Sequence, residues 1–434
     1  MTAPALTLPQ RRGACPGLSA PMATGDGLLV RLLPIGTIAL DTFAGLCAAA
    51  RQHGNGIIEV TSRGSIQIRG LSAVSAPRLA TAVATLGITA VDGIPVLTNP
   101  LAGLDAEQII DTAALAADLR HALAHSSLAQ RLSAKVSVAI DGGGALSLDG
   151  IAADVRLRAQ AVDGVAALCV SVGGDGQNAV PLGCVAVRDG VEVTTRLFEV
   201  LAQRGRVARL RDVVAAEGIA PLRSAVADLI IHNGATRSES RFGDAIGLHP
   251  LRNGTFAHGV GLAFGHADAT SLQRLTETAK AVGASGMRAA PGRALIIVGL
   301  TQQTASSVAT AAEMLGFIVH AGDPRRHVVA CAGAPICASA DIAARAIAPQ
   351  IATAAAPHLD GSFKIHISGC AKGCAHPAPA ALTVVGTPAG CLLISNGSTR
   401  DMPFATVATH ELPVAVAEIA RGIKHEDDRE NRNV

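Results

Sequence analysis

One long stretch of this chain occurs twice. From Gly25 to Ile88 the sequence runs "GDGLLVRL", "DTFAGLCAAARQHG", "GIIEVTSRGSIQIRGL" and "ATLGI". From Gly259 to Phe317 it runs "GVGLAFGH", "TSLQRLTETAKAVG", "GMRAAPGRALIIVGL" and "EMLGF". Gly54, Gly70 and Gly87 recur as Gly283, Gly299 and Gly316, and one offset fits all three (283 − 54 = 299 − 70 = 316 − 87 = 229). A repeat of this length is a supersecondary unit that needs a copy of itself to complete its core. The offset continues further: "KVSVAIDGGG" from Lys135 aligns with "KIHISGCAKG" from Lys364 (364 − 135 = 229). A second, larger unit is therefore duplicated as well, and only its C-terminal copy carries the paired cysteines.

Within each copy the apolar pattern changes from period 2 in "IIEV" and "IQIR" to period 3.6 in "FAGLCAAARQ", which reads as strand, helix, strand, strand, helix. That is half of a ferredoxin-like sheet, and its open edge needs a partner that the second copy can supply. The predicted class is α+β, with two ferredoxin-like half-domains that pair and two α/β domains beside them. The expected division is an N-terminal arm over 1–24, half-domains over 25–90 and 246–320, and α/β domains over 91–190 and 321–420. A helical linker over 191–245 joins the halves, and "KHEDDRENRNV" ends a disordered tail over 421–434.

A formal charge of +2 with 16% charged residues lacks the concentrated basic surface of a nucleic-acid or membrane-surface binder, so a small partner is expected. Hydrophobic residues make up 49% of the chain, yet no apolar run approaches the roughly 18 to 20 residues of a membrane span. "MTAPALTLPQRRGACPG" lacks the basic start and apolar centre of a secretory signal, which predicts a cytoplasmic location. With no Trp or Tyr and eight Phe, a pocket here cannot depend on aromatic stacking.

Nine cysteines in a reducing compartment point to metal ligands or buried thiols, with no disulfide expected. Cys331 and Cys337 stand in "CAGAPIC", Cys370 and Cys374 in "CAKGC", and 32 residues separate the pairs (370 − 337 − 1). Four thiolates on two glycine- and proline-rich loops suit a 4Fe-4S cluster, because the loop amides can approach and stabilise the sulfurs. A C-x5-C loop fits a structural zinc knuckle poorly. Cys15, Cys47, Cys169, Cys184 and Cys391 show no ligand spacing and are expected as buried or incidental thiols.

C-x5-C followed by C-x3-C, in the second of two duplicated halves, resembles the sulfite and nitrite reductase family from roughly Arg12 to Glu418. The resemblance implies a tetrapyrrole cleft between the halves, with Cys374 nearest the macrocycle. "TSRGSIQIRG" resembles the family strand whose Arg and Gln face that macrocycle, here Arg63 and Gln67. The family's Lys-x-Lys strand is "KVS", with Ser137 at the second lysine, and the arginine before its "NP" turn has no counterpart in "VDGIPVLTNP". Half of the cation cage that stabilises a reacting oxyanion is therefore missing.

"RRGACPGLSAPMATGDGLLVRLLP" and "HISGCAKGCAHP" resemble the precorrin-3B synthase branch of aerobic cobalamin biosynthesis. In that branch the macrocycle is the substrate, precorrin-3A, which O2 hydroxylates at the meso carbon C-20 with lactone formation. A sirohaem-dependent sulfite or nitrite reductase is the alternative. The resemblance implies a 4Fe-4S cluster, a mononuclear non-haem iron and an electron-donor protein. No motif shows the iron ligands; His366 and His376 are the nearest candidates, with His249, His258 and His266 behind them. Substrate carboxylates call for Arg11, Arg12, Arg31, Arg63, Gln67, Arg69, Lys135 and Lys364, and catalytic roles are expected for Arg63, Lys135 and Lys372. "IDGGG" and "VGGDG" lack the spacing of a dinucleotide site, so electrons are expected from a protein partner.

Overall fold

A computed structural model of the chain describes residues 16–91, 93–233 and 243–430; Arg11, Arg12 and Cys15 lie outside the described residues. The first half-domain holds β1 (Met22–Thr24), β2 (Gly27–Leu32), α1 (Leu40–His53), β3 (Ile57–Val60), β4 (Ile66–Leu71) and α2 (Ser75–Thr85). The first α/β domain follows with β5 (Val96–Thr98), α3 (Thr112–Ala124), α4 (Leu128–Arg131), β6 (Val138–Asp141), β7 (Ala153–Val162), β8 (Val165–Gly174) and β9 (Val180–Ala186). It closes with α5 (Gly190–Ala202), α6 (Leu210–Glu217), α7 (Ala220–Ala225) and β10 (Ile230–His232). The second half-domain contains β11 (Gly247–Pro250), β12 (Phe256–Gly261), β13 (His266–Asp268), α8 (Ala269–Ala281), β14 (Gly286–Ala290), β15 (Ala294–Leu300) and α9 (Gln302–Met314). The last domain holds β16 (Val328–Ala330), α10 (Ala344–Ala355), β17 (Ile365–Ser368), β18 (Ala380–Thr387), β19 (Gly390–Gly397), β20 (Ala405–Val407) and α11 (Leu412–Glu430).

The duplication is carried into the structure position by position. Adding 229 to the bounds of β2 gives those of β12 (27 + 229 = 256, 32 + 229 = 261). The copies also pair as the open edges require. β13 adds to β3 with Ala267 opposite Ile58, and Ile38 bridges Met287. These are one contact seen from both sides, since 38 + 229 = 267 and 58 + 229 = 287. Both copies share a core in which Phe43, Leu46 and Leu79 meet Leu272, Leu275 and Val308.

The recurring glycine is explained at Gly70 and Gly299, with φ of 71° and 83°. A Cβ at Gly70 would come within 2.9 Å of the Asn55 amide nitrogen, and at Gly299 within 3.0 Å of that of Ser285. Only glycine suits a left-handed turn so close to neighbouring backbone.

Both α/β domains begin with three parallel strands, β5-β6-β7 and β16-β17-β18, and continue antiparallel. Three expectations are corrected. The segment expected as a linker joins the first α/β domain, because the apolar stripes of α5 and α6 (Val193, Leu197, Phe198, Leu210) enter its core. The expected tail is helical through Glu430, anchored by Leu412, Val416 and Ala420 in the core and by Lys424 against Asp360 at 3.1 Å. Cys169 and Cys184, taken as thiols, form a disulfide with Cα atoms 4.0 Å apart, since antiparallel register sets them directly opposite each other on β8 and β9. Cys47 and Cys391 are buried thiols, and burial pushes the Cys47 thiol up to about 12.

Candidate functional site: the cysteine loops and the basic surfaces beside them

Cys331 directly follows β16, and Cys370 lies two residues past β17. The two strands are parallel neighbours, with Ala330 opposite Ile367. Both loops therefore leave the carboxyl ends of adjacent parallel strands, where open α/β sheets place their sites. Backbone bonds join the loops: Cys331 N–H donates to the Ile367 carbonyl at 3.2 Å, and Asp341 N–H to that of Gly369 at 2.8 Å. Lys372 Nζ donates to Ser339 Oγ at 2.8 Å, tying the second loop to the first.

The Cys331 sulfur accepts the Gly369 N–H at 3.1 Å. Burial raises the Cys331 thiol pKa and the amides of Gly369 and Gly333 lower it, while Cys374 and Cys370 act on it as neighbours. Cys331, Cys370 and Cys374 thus stand on two joined loops. The fourth, Cys337, is turned towards the first half-domain, with its Sγ against Gly25, in the space a Cβ there would need. Among the described residues no three His, Cys, Asp or Glu side chains are drawn together as around a metal ion. The donor set nonetheless fits a 4Fe-4S cluster: soft thiolates on two adjoining loops, with amides already directed at sulfur. Cys337 would complete the set by turning from Gly25.

Arg63, on the loop between β3 and β4, donates from Nη2 to Ser137 Oγ at 3.0 Å. Ser137 is buried, and its N–H donates to Asp154, which also holds Arg209 at 2.7 Å. The missing second lysine has thus been replaced by an acceptor for Arg63. Lys135 is half-buried two residues away. Arg63, Arg120 and Arg288 line a cavity of about 430 Å³ beside β5. Neither Arg120 nor Arg288 was found from the sequence, where nothing distinguishes them from other arginines.

The remaining predicted cations differ in how they are engaged. Arg69 forks onto Asp26 at 2.7 and 2.8 Å and reaches Glu59 at 3.4 Å. Burial opposes its charge, but Asp26 and Glu59 outweigh that and raise its pKa. The Gln67 carbonyl oxygen accepts from Arg31 at 2.6 and 2.9 Å, and its amide donates to Glu59 at 3.0 Å. Arg345 of α10 pairs with the same Glu59 at 3.0 Å. Glu59 therefore joins the first half-domain to the cluster-bearing domain, a role the sequence did not reveal.

On β17, Ile365 and Ile367 enter the domain core, while His366, and Lys364 just before the strand, lie on the opposite face. His366 is fully buried, and neither ring nitrogen has a hydrogen-bond partner. Its ring lies 5.7 Å, edge-on, from that of His376. Burial pushes His366 down to about 4, helped by His376 and Arg293. Burial, then Arg293 and Lys364, lowers His376. Among the described residues no third His, Cys, Asp or Glu side chain joins the pair into a metal-binding group, and two imidazoles alone do not make up the ligand set of a mononuclear iron. Of the others, His249 bonds the Ala245 carbonyl at 3.2 Å, His258 is held down to about 4 by burial, and burial with Arg345 beside it holds His266 near 3.

The nitrite/sulfite reductase ferredoxin-like half-domain model matches residues 20–85, and the nitrite and sulphite reductase 4Fe-4S domain model matches 93–231. The latter match covers the copy without the paired cysteines. The chain is 38% identical over 420 residues to a precorrin-3B synthase of Sinorhizobium sp, covering 96% of this chain and 90% of that protein. The chain belongs to the precorrin-3B synthase family. Other likenesses surround that assignment. A ferredoxin–nitrite reductase of Synechococcus elongatus is 25% identical over 84% of this chain and 77% of its own length. The Mycobacterium tuberculosis NirA protein shares the fold, with a TM-score of 0.73 and 20% identity over 91% of this chain and 80% of that one. This precorrin-3B synthase family member therefore has the internally duplicated architecture of the nitrite and sulfite reductases.

Proposed function

We propose that the chain is a precorrin-3B synthase, a monooxygenase that uses O2 to hydroxylate precorrin-3A at the meso carbon C-20 and close a lactone from a ring acetate. The observation that carries this reading is Ser137. Where the reductases keep a second cation for a small oxyanion, a buried hydroxyl instead accepts Arg63 at 3.0 Å. A site with this cage weakened is poorly equipped to reduce sulfite or nitrite, yet it retains cations suited to a carboxylate-rich macrocycle.

One oxygen atom of O2 enters the macrocycle and the other leaves as water, with two electrons and two protons supplied. A 4Fe-4S cluster held by Cys331, Cys337, Cys370 and Cys374 supplies single electrons when bound, and an electron-donor protein replenishes them. Arg63, Lys135 and Lys364 bind substrate carboxylates, while Lys372 holds the two cysteine loops together through Ser339. Among the described residues no helix is long and apolar enough to cross a membrane, and the cytoplasm is the proposed location.

Incubating the anaerobically purified protein with precorrin-3A and then O2 tests this. The expected product is heavier by one oxygen atom. An unchanged mass, together with red-region sirohaem absorption from the purified protein, would favour a sulfite or nitrite reductase instead.

A further inference from the structure

The duplication sets an arginine where its counterpart is a glutamate. Arg288 of β14 lies 229 positions after Glu59 of β3 (288 − 59 = 229), and the strand contacts keep that offset, since Met287 bridges Ile38 as Ile58 faces Ala267. The neighbours correspond as well. His266 stands opposite Glu59, and its counterpart Thr37 (266 − 229) accepts from Arg288 Nε at 2.6 Å. In the first of these places Glu59 receives Arg345 of α10 at 3.0 Å. In the second the equivalent helix is α3, since each of the two follows the first strand of its α/β domain. It too brings an arginine, Arg120.

Here the two cations meet no carboxylate. Arg120 and Arg288 line the cavity of about 430 Å³ beside β5, together with Arg63. Arg120 donates from Nη2 to the Val96 carbonyl at 3.0 Å, and its Nε is buried without a partner. Arg288 donates from Nη1 to the Pro100 and Ala102 carbonyls at 3.0 and 2.8 Å. All these acceptors are neutral, and among the described residues neither arginine makes an ion pair. No Asp or Glu stands among the described residues of the cavity wall. Asp111 bears on Arg288 from outside that wall, but it caps α3, accepting the Ala113 N–H at 2.9 Å. Cations drawn into a protein are normally paired, so this arrangement leaves an anion to come from outside the chain.

The walls indicate what carries the charge. Ala113, Ala116 and Ala117 share one face of α3 with Arg120 and line the cavity with it, so that small side chains leave the space into which the guanidinium is set. Leu33 and Val96 add further apolar wall. A mostly apolar pocket with a few convergent polar groups suits a hydrocarbon body with a polar end, and guanidinium forks suit a carboxylate. We propose that this cavity is a carboxylate pocket in which Arg120 and Arg288 hold the acid group of a bound ligand, which supplies here what Glu59 supplies to Arg345. Under the proposed reaction the acid group is a side chain of the macrocycle, an identification that rests on that reading; a free carboxylic acid is the other source of the same chemistry.

Binding by the full-length, anaerobically purified protein tests it without O2 or turnover, so failure of the proposed reaction leaves the result unaffected. The probes are coproporphyrin, its methyl ester and succinate, followed by fluorescence and calorimetry. Arg120→Gln removes one cation. Ala117→Glu adds a carboxylate to the pocket from an exposed position of α3, where glutamate is a good helix former and the variant is expected to fold. If the occupant is an acid side chain of the macrocycle, both variants bind coproporphyrin about ten-fold or more weakly and the ester as the parent protein does. If it is a free acid, succinate binding is lost in both while coproporphyrin stays within about two-fold. Either result supports the pocket. Unchanged binding of coproporphyrin and succinate by both variants overturns it. So does equal weakening of coproporphyrin and its ester, because the variants would then act on the shape of the cleft and not on a carboxylate.

Discussion

At the scale of single residues, the predicted cations differ in the groups they hold and in the cavity they line. Arg63 lines the cavity beside β5 and donates to the Ser137 hydroxyl, whereas Arg69 forks onto Asp26. Arg63→Ala is therefore expected to weaken precorrin-3A binding by roughly 1.5 to 3 kcal/mol, the range for a charge-assisted hydrogen bond. Iron and sulfide content should not change, because Arg63 belongs to the other half of the chain from the four cysteines. Anaerobic titration of the variant checks both points, and wild-type affinity would remove Arg63 from the site.

At the scale of elements, the strands dictate where chemistry can sit. Parallel β16 and β17 bring Cys331 and Cys370 to one end of the sheet, and amides of the loops support the sulfur. Cys370→Ser is expected to abolish the iron–sulfur absorbance while far-ultraviolet circular dichroism stays native; four irons and four sulfides retained would contradict the ligand assignment. The hairpins make a separate demand. Gly299→Ala places a Cβ 3.0 Å from the Ser285 nitrogen in a left-handed turn. A loss of roughly 1 to 2 kcal/mol is expected in urea unfolding, and no loss would mean that the turn relaxes.

At the scale of the whole molecule, the duplicated half-domains share one core, and the cluster-bearing domain is tied to them by charge. Arg345 of that domain and Arg69 of the first half-domain meet at Glu59, whose side chain is 17% exposed. Glu59→Ala would leave Arg345 buried without an ion pair, at a cost of about 3 kcal/mol. Denaturant unfolding measures this directly. A change within about 0.5 kcal/mol would show that solvent reaches and screens both arginines.

The repeat offset, the pairing of two open-edged half-sheets and the two cysteine loops were all legible in the sequence. Each follows from local pattern: periodicity fixes an element, a left-handed turn requires glycine, and an unpaired edge requires a second copy. Tertiary structure alone decided the roles of the charges. Arg345 reaches Glu59 across 286 positions, and nothing near either residue in the chain announces it. The Cys169–Cys184 disulfide depends on the register of β8 against β9, which the spacing of two cysteines does not disclose. Likewise, His366 and His376 suggest metal ligands when read along the chain. Folding buries His366 completely and leaves both of its ring nitrogens without a hydrogen-bond partner, which its position in the chain does not disclose.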